Sequence, residues 1–497
     1  MTDAILSIDQ GTTSSRTIAF SAEGAILASA QEEFAQIYPA DGWVEHDPRA
    51  IWSTVLSTAR QALADAEGQG HNVIGIGITN QRETVVLWDR ATGEPLHNAI
   101  VWQDRRTADA CQALFDAGHE PLVTERAGLL LDPYFSASKI AWLLDNVEGA
   151  RRRAEAGELA VGTIDSWLLW NLTGGAVHAT DATNACRTSL FSLAAQAWDE
   201  ELLALFGVPR ALLPEVQDSA AHFGDTPTEL FGKSLPILSM VGDQQGAAVG
   251  QACFEPGQMK STYGTGCFIV VNTGSEIKPS AHRLLTTVAY RIQGEPTFAV
   301  EGSIFIAGAA VQWLRDEMGL LASAAETAKR AERAQPDAGV IMVPAFTGMG
   351  APYWSPHARA AVFGMTRSTG PDELARAALE GVVYQTHDLL KAIEADGLTT
   401  ERLSVDGGMA ANDWFVQRLA DIAGILVERP RVLETTALGA AYLAFLQAGH
   451  FSSLNDVAAQ QAKDRSFTPA MKDEERTKRL DLWRRCVDAV LTVAQQP

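Results

Sequence analysis

The chain has 497 residues, 46% hydrophobic and 20% charged, with a formal net charge of −22 and an isoelectric point near 4.9. That length exceeds one ordinary core and predicts two large domains, while the acidic balance excludes nucleic acid as a partner. No run of about 18 uninterrupted apolar residues occurs, so no membrane-spanning helix is expected, and five scattered cysteines without a CxxC pair predict reduced thiols, a cytoplasmic setting and no zinc site.

From the N-terminus, LSIDQGTTSSRTIAF (6–20) predicts a hairpin. A hairpin needs only a glycine or Asn-Gly to turn. This one also places Asp9, Thr12, Thr13, Ser14 and Arg16 around the turn, each able to touch phosphate or a metal. A plain polar hairpin explains the same residues. The first strand begins without the basic start and apolar stretch of a secretory signal, so none is expected. PRAIWSTVLSTARQALADAE (48–67) predicts a helix. VIGIGITNQRETVVLWD (73–89) then reads as strand, polar turn, strand, with Arg82 beside Glu83. The two are either a surface ion pair or, with Trp102 of IVWQDRR, a grip on a small polyhydroxylated molecule. PYFSASKIAWLLDN (133–146) puts Tyr134 and Lys139 at the start of a helix whose Ile140, Leu143 and Leu144 read as core. The basic run ARRRAEAGE (150–158) reads as a solvated helix face.

LPILSMVGDQQGAAVGQA (235–252) predicts a strand, a Gly-Asp turn and a helix of small residues. Asp243 is either the helix N-cap or a carboxylate at the mouth of a cleft, where α/β sheets place their sites. MKSTYGTGCFIVVNTG (259–274) repeats the first hairpin, with Thr265 about half a chain length after Thr12. EGSIFIAGAAVQWLRDEMG (301–319) predicts one helix with Gly308 and Gln312 on the same face. Close approach of a flat ligand at Gly308 and simple helix packing both fit. PDELARAALEGVVYQTHDLLKAIEAD (371–396) predicts a further helix, and LSVDGGMAAND (403–413) a strand, glycine turn and helix. The glycine turn could wrap a ribose or adenine with Asn412 as polar reader, or be a left-handed turn before a helix. Neither GKS (232–234) nor GMGAPY (348–353) completes a known phosphate-loop pattern.

Strands alternating with helices mark an α/β architecture. Two similar halves, each opening on a hydroxyl-rich hairpin, could face one phosphate chain from opposite sides. Asp9 and Asp243, both at strand ends, could serve as metal anchor and general base for phosphoryl transfer.

YFSASKIAWLLDN and AAVFGMTRSTGPDELARAALE (360–380) resemble the two signatures of the FGGY group of sugar and polyol kinases. DQGTTSSR, GWVEHDP, GITNQRET, NAIVWQ, GDQQ, TYGTGCF, VPAFTGMGAPYW and ALGAAYLA resemble its glycerol-phosphorylating branch, from residue 9 to about 444. The resemblance implies an α/β fold of two ribonuclease-H-like (actin-like ATPase) domains with the active site in the interdomain cleft. Residues 1–250 would bind polyol and phosphate, and 251–497 the nucleotide. It implies ATP and Mg²⁺, phosphorylation of glycerol to sn-glycerol 3-phosphate in glycerol uptake and catabolism, and a homo-oligomer (dimer or tetramer). Carried over by motif, Thr12, Thr13, Ser14, Arg16, Thr265, Gly308, Gln312, Gly408 and Asn412 would hold the nucleotide. Arg82, Glu83, Trp102, Tyr134, Asp243, Gln244 and Phe268 would hold glycerol, with Asp243 the catalytic base and Asp9 and Asp243 at the metal. A kinase for another polyol or ketose, and an actin- or Hsp70-like ATPase switch, are the competing readings.

Overall fold

A computed structural model describes residues 2–336 and 338–495. The N-terminal hairpin forms as β1 (Asp3–Gln10) and β2 (Ser14–Ser21), followed by β3 (Ile26–Glu33), α1 (Pro48–Gly68) and β4 (Asn72–Asn80). After an excursion that carries α2 (Ser136–Asn146), the first half closes with β5 (Ala220–Asp225), β6 (Pro236–Gly242) and α3 (Asp243–Gly250). The strands stand in the order β5-β6-β4-β1-β2-β3. The β1–β4 and β4–β6 pairs are parallel, and the β1–β2, β2–β3 and β5–β6 pairs antiparallel.

The second half repeats this plan. It supplies β7 (Met259–Tyr263), β8 (Cys267–Gly274), β9 (Leu285–Ile292), β10 (Glu295–Ile304) and α4 (Gly308–Asp316). There follow α5 (Pro371–Ala395), β11 (Arg402–Asp406), α6 (Asp413–Ala423), β12 (Leu426–Pro430), α7 (Thr435–Gln447) and β13 (Lys463–Phe467). The order is β9-β10-β8-β7-β11-β12-β13, with β7–β8 and β8–β10 antiparallel and β7–β11 and β11–β12 parallel. Strands β7, β8, β11 and β12 therefore stand in the second sheet as β1, β2, β4 and β6 stand in the first. The repeated Gly-Thr hairpin of the sequence is a repeat of topology.

Burial on both faces explains why the central strands are apolar throughout. In β1, Ala4, Leu6 and Ile8 share a core with Ile51, Val55 and Ala59 of α1. Ile5 faces the other way, toward Leu438 and Ala441 of α7, and Ser7 Oγ donates to Ala437 O at 2.6 Å. Helix α7 thus packs on β1, β4 and β6 although it follows β12. It crosses α3 between the two sheets, and glycine makes the crossing: a Cβ on Gly439 would lie 1.9 Å from Gly246 O.

One expected element changes. Segment 301–319 is not a single helix: Glu301–Ile304 finish β10, where Glu301 pairs with Val270 of β8, and α4 starts at Gly308. A lone acid before small residues looks like a helix start, yet Phe298, Ala299, Val300 and Ile304 are buried on the two faces of a strand. The five cysteines are all buried free thiols, and no described helix is long and apolar enough to cross a membrane. The basic run lies on a short helix, Ala150–Glu155, with Arg151 and Arg153 paired to Asp145 and Asp89.

Candidate active site

At the end of β4 the chain turns through Gln81–Thr84 into the strand Val85–Asp89. Gln81 N donates to Gln10 O and Thr84 N to Arg82 O, each at 2.7 Å, and Glu83 adopts φ 60°. A non-glycine residue in the left-handed region costs ~1–3 kcal/mol and persists where its surroundings over-determine it. Here Ser136 Oγ, at the start of α2, holds Glu83 O at 3.0 Å. The turn drives both charges inward, leaving Arg82 and Glu83 only 2% and 1% exposed. They are not a surface ion pair.

All three Arg82 nitrogens are engaged. Nε meets Asp243 Oδ1 at 3.0 Å; Nη1 meets Glu301 Oε2 at 2.6 Å and Gln245 Oε1 at 3.2 Å. Nη2 meets Glu301 Oε1 at 3.1 Å and Tyr134 Oη at 3.4 Å. A second buried guanidinium, Arg187, donates to Glu83 Oε1 at 2.7 Å and Glu301 Oε1 at 2.9 Å. Burial alone would raise the Glu301 carboxyl, but Arg187 and Arg82 outweigh it and hold it at about 2.

Tyr134 lies two residues before α2 rather than in its first turn. Asp132 Oδ1 accepts from Tyr134 N at 2.8 Å. Buried Lys139 donates to the carbonyls of Pro133, Tyr134 and Phe135 at 2.8, 2.6 and 2.7 Å, and burial lowers its ammonium to about 7. Trp102 donates its indole N–H to Thr12 Oγ1 at 3.0 Å and sets its ring 5.7 Å from Tyr134 and 6.2 Å from Phe268. Phe268 also lies 5.9 Å from the Arg82 guanidinium. Asp243 is the first residue of α3, behind the cap Gly242, so it is not the N-cap. Its Oδ1 accepts from Gln244 N at 2.7 Å, and its side chain remains 31% exposed. Gln244 Oε1 is held by Lys260 Nζ at 2.5 Å.

What remains unused defines the chemistry. Glu83 Oε2 and Asp243 Oδ2 are acceptors, and Gln244 Nε2 is a donor, without side-chain partners among the described residues. The Tyr134 hydroxyl proton is likewise uncommitted. Acceptors and donors gathered around Arg82, with the Trp102 ring against Tyr134 and the Phe268 ring beside the Arg82 guanidinium, suit the vicinal hydroxyls of a short polyol, each of which both donates and accepts.

The first hairpin turn closes through Gly11 N to Ser14 O at 2.9 Å. Thr13 is exposed, and Ser14 Oγ accepts from Gln31 Nε2 at 3.0 Å. Arg16 forms a salt bridge with Glu434, which directly precedes α7, and so reaches from the first half to the second. Withdrawal from water pushes Asp9 up to about 7; Arg16 opposes the rise, and Glu434 and Asp243 add to it. Both Glu434 and Asp243 therefore bear on Asp9 near the turn.

In the second half, Thr265 is exposed, and its carbonyl accepts from Ala307 N at 2.8 Å. A Cβ on Gly308 would meet Gly264 O at 2.6 Å, so this glycine serves close backbone packing. That Cβ would also lie 3.9 Å from Met409, which makes Gly308 and Gly408 neighbours. Around Gly408 itself the space is open, and Gln312 is exposed. Asn412 caps α6 by accepting from Phe415 N at 3.1 Å.

The polyol-side residues expected from sequence are in mutual contact, and the nucleotide-side residues border an open face. Sequence reasoning missed Arg187, Glu301, Lys260, Gln245 and Glu434. A signal existed for two of them: a lone charge inside a buried strand, as in FAVEGSI and MKSTY, needs a buried partner. For Mg²⁺, Asp9 and Asp243 offer hard oxygen ligands, and no group of three or more His, Cys, Asp or Glu able to hold a metal occurs among the described residues. That donor set fits an ion that takes one or two carboxylates, keeps water and binds substrate phosphates.

Family models match along most of the chain: the FGGY family of carbohydrate kinases, N-terminal domain, over residues 4–250, and its C-terminal domain over 259–448. Glycerol kinase of Rhodospirillum centenum is 61% identical over 97% of this chain and 97% of its own. That of Alcanivorax borkumensis is 59% identical over 99% and 98%. Among solved structures, Plasmodium falciparum glycerol kinase with ADP superposes with a TM-score of 0.90 at 36% identity, covering 99% of this chain and 98% of that one. Xylulose kinase from Lactobacillus acidophilus shares the fold, with a TM-score of 0.86 at 21% identity over 99% of both chains.

Proposed function

The chain belongs to the FGGY family of carbohydrate kinases, and from that premise we propose that it transfers the γ-phosphoryl group of ATP to a terminal hydroxyl of glycerol, giving sn-glycerol 3-phosphate. The observation that carries this reading is the set of unspent donors and acceptors on Glu83, Tyr134, Asp243 and Gln244, gathered around a fully engaged Arg82 with Trp102 and Phe268 alongside.

Glu83 Oε2, Gln244 Nε2 and the Tyr134 hydroxyl orient the polyol, and the two aromatic rings cover its carbons. Asp243 takes the proton of the attacking hydroxyl. The hydroxyl oxygen bonds the γ-phosphorus in line as the bond to the β-phosphate oxygen breaks and ADP leaves. We assign Thr12, Thr13, Ser14, Arg16 and Thr265 to the phosphates, and Gly308, Gln312, Gly408 and Asn412 to the nucleoside. Residues 1–250 then carry most of the polyol and phosphate contacts, and 251–497 the nucleotide. Asp9 and Asp243 would hold Mg²⁺, which when bound neutralises phosphate charge. A homo-oligomeric, cytoplasmic enzyme belongs to the same reading.

A coupled assay with ATP and glycerol, dihydroxyacetone, erythritol, xylulose or gluconate tests it. Highest kcat/KM with glycerol is expected. Preference for a ketose, or ATP turnover independent of any polyol, would overturn it.

A further inference from the structure

Glu301 and Arg187 are not among the residues assigned to the polyol above, yet they bind two charged residues that are, Arg82 and Glu83. Glu301 Oε2 and Oε1 hold Arg82 in a two-point fork at 2.6 and 3.1 Å, and Oε1 also accepts from Arg187 Nη2 at 2.9 Å. Arg187 Nε in turn fixes Glu83 Oε1 at 2.7 Å. Both side chains are fully buried. Glu301 comes from β10 of the second sheet, whereas Arg82, Glu83 and Arg187 come from the first half of the chain.

We propose that Glu301 and Arg187 are positioning residues for polyol recognition: Glu301 holds Arg82 from across the cleft, and Arg187 transmits the same register to Glu83. This rests on the glycerol-kinase reading above. The fork dictates which way Arg82 faces. With Nη1 and Nη2 committed to Glu301, only Nε comes within ion-pair distance of Asp243, the base, 3.0 Å from Oδ1. Asp243 Oδ2 stays open to take a proton. Without the fork, Arg82 can turn its paired Nη groups onto Asp243 and occupy both carboxylate oxygens, the geometry guanidinium and carboxylate prefer. Arg187 works on the other acceptor in the same manner: by taking Glu83 Oε1 it leaves Oε2 for a substrate hydroxyl. Its cation also lies 5.6 Å from the Tyr134 ring and 5.3 Å from Phe135, so it braces the third polyol contact. Five charges of alternating sign, Glu83, Arg187, Glu301, Arg82 and Asp243, thus leave one lone acceptor on each of the two substrate-facing carboxylates.

The Glu301→Gln variant keeps size and one acceptor while removing the charge that fixes the fork. Wild type is measured first with the polyol it turns over best, so failure of the glycerol reading is seen before any variant is compared. In the variant, KM for that polyol should rise about tenfold or more while KM for ATP stays within about twofold. A merely structural glutamate would lower melting temperature and active fraction, and would leave polyol KM unchanged. Arg187→Lys, which keeps the cation but cannot fork between Glu83 and Glu301, should raise polyol KM about threefold or more, again sparing ATP. A cycle of Glu301→Gln, Arg187→Met and the double variant, which removes one charge of each sign, should show a double loss smaller than the product of those two single losses. Polyol KM within about twofold of wild type in both Glu301→Gln and Arg187→Lys, or a double variant whose losses simply multiply, would overturn the proposal.

Discussion

The residues assigned above to the polyol and those assigned to the nucleotide are presented differently by the fold. On the polyol side, Arg82, Glu83, Arg187 and Glu301 are all nearly or fully buried, and each is held by an opposite charge. Of the residues assigned to the nucleotide, Thr265, Gln312 and Gly408 are exposed, and the space around Gly408 is open. A small polyol offers little apolar area, so its site must be preorganised before it arrives. A nucleotide offers a large flat base and charged phosphates, so open glycine turns and hydroxyls suffice. Fixed charge serves the small ligand and open backbone serves the large one.

Substitutions on the two sides should therefore separate cleanly. Asp243→Asn should have the largest effect, lowering kcat by roughly 10²–10⁴-fold as expected for loss of a general base, with nucleotide binding retained. Single-turnover kinetics with ATP and glycerol check this, and activity within a few-fold of wild type would remove Asp243 from its role. Arg82→Ala comes next. Its removal frees Asp243 Oδ1, Tyr134 Oη and Glu301 together, so glycerol KM should rise by at least about 10²-fold and ATP KM far less. If ATP KM moved more, Arg82 would belong to the phosphates.

Gly439→Ala probes the axis that joins the two sides. Its Cβ would lie 1.9 Å from Gly246 O, and backbone cannot rotate away as a side chain can. Overpacking of this kind costs ~1–3 kcal/mol, seen as a melting temperature lower by several degrees. An unchanged melting temperature would mean that α3 and α7 separate without cost. Gly408→Ala should have the smallest effect. Its surroundings are open, so stability should stay within about 0.5 kcal/mol of wild type. ATP KM should rise about fivefold, or ~1 kcal/mol, with glycerol KM unmoved. A matching rise in both constants would erase the contrast between the two sides.

Much of this was legible in the sequence, for physical reasons. The hairpin 6–20 and its echo at 259–274 betray themselves because a central strand must be apolar while its turn need not be. The sequence also brings out Arg82, Glu83 and Asp243, because polar residues sit at abrupt strand ends. Glu301 escaped for the opposite reason. It lies mid-strand, and its meaning depends on Arg82 and Arg187, which are distant in the chain and adjacent only after both sheets form. Local pattern placed it in a helix. Glu434 likewise acquires its role only when α7 returns to the first sheet and meets Arg16. Periodicity reports what one element buries and is silent about which charges two elements share.

On the reading proposed above, the polyol site is complete without nucleotide. Titration calorimetry of glycerol into nucleotide-free protein tests it most directly, alongside Arg82→Ala and Gly408→Ala. The account predicts saturable glycerol binding in wild type and Gly408→Ala and none in Arg82→Ala. Glycerol binding that appears only when a non-hydrolysable ATP analogue is present would contradict it.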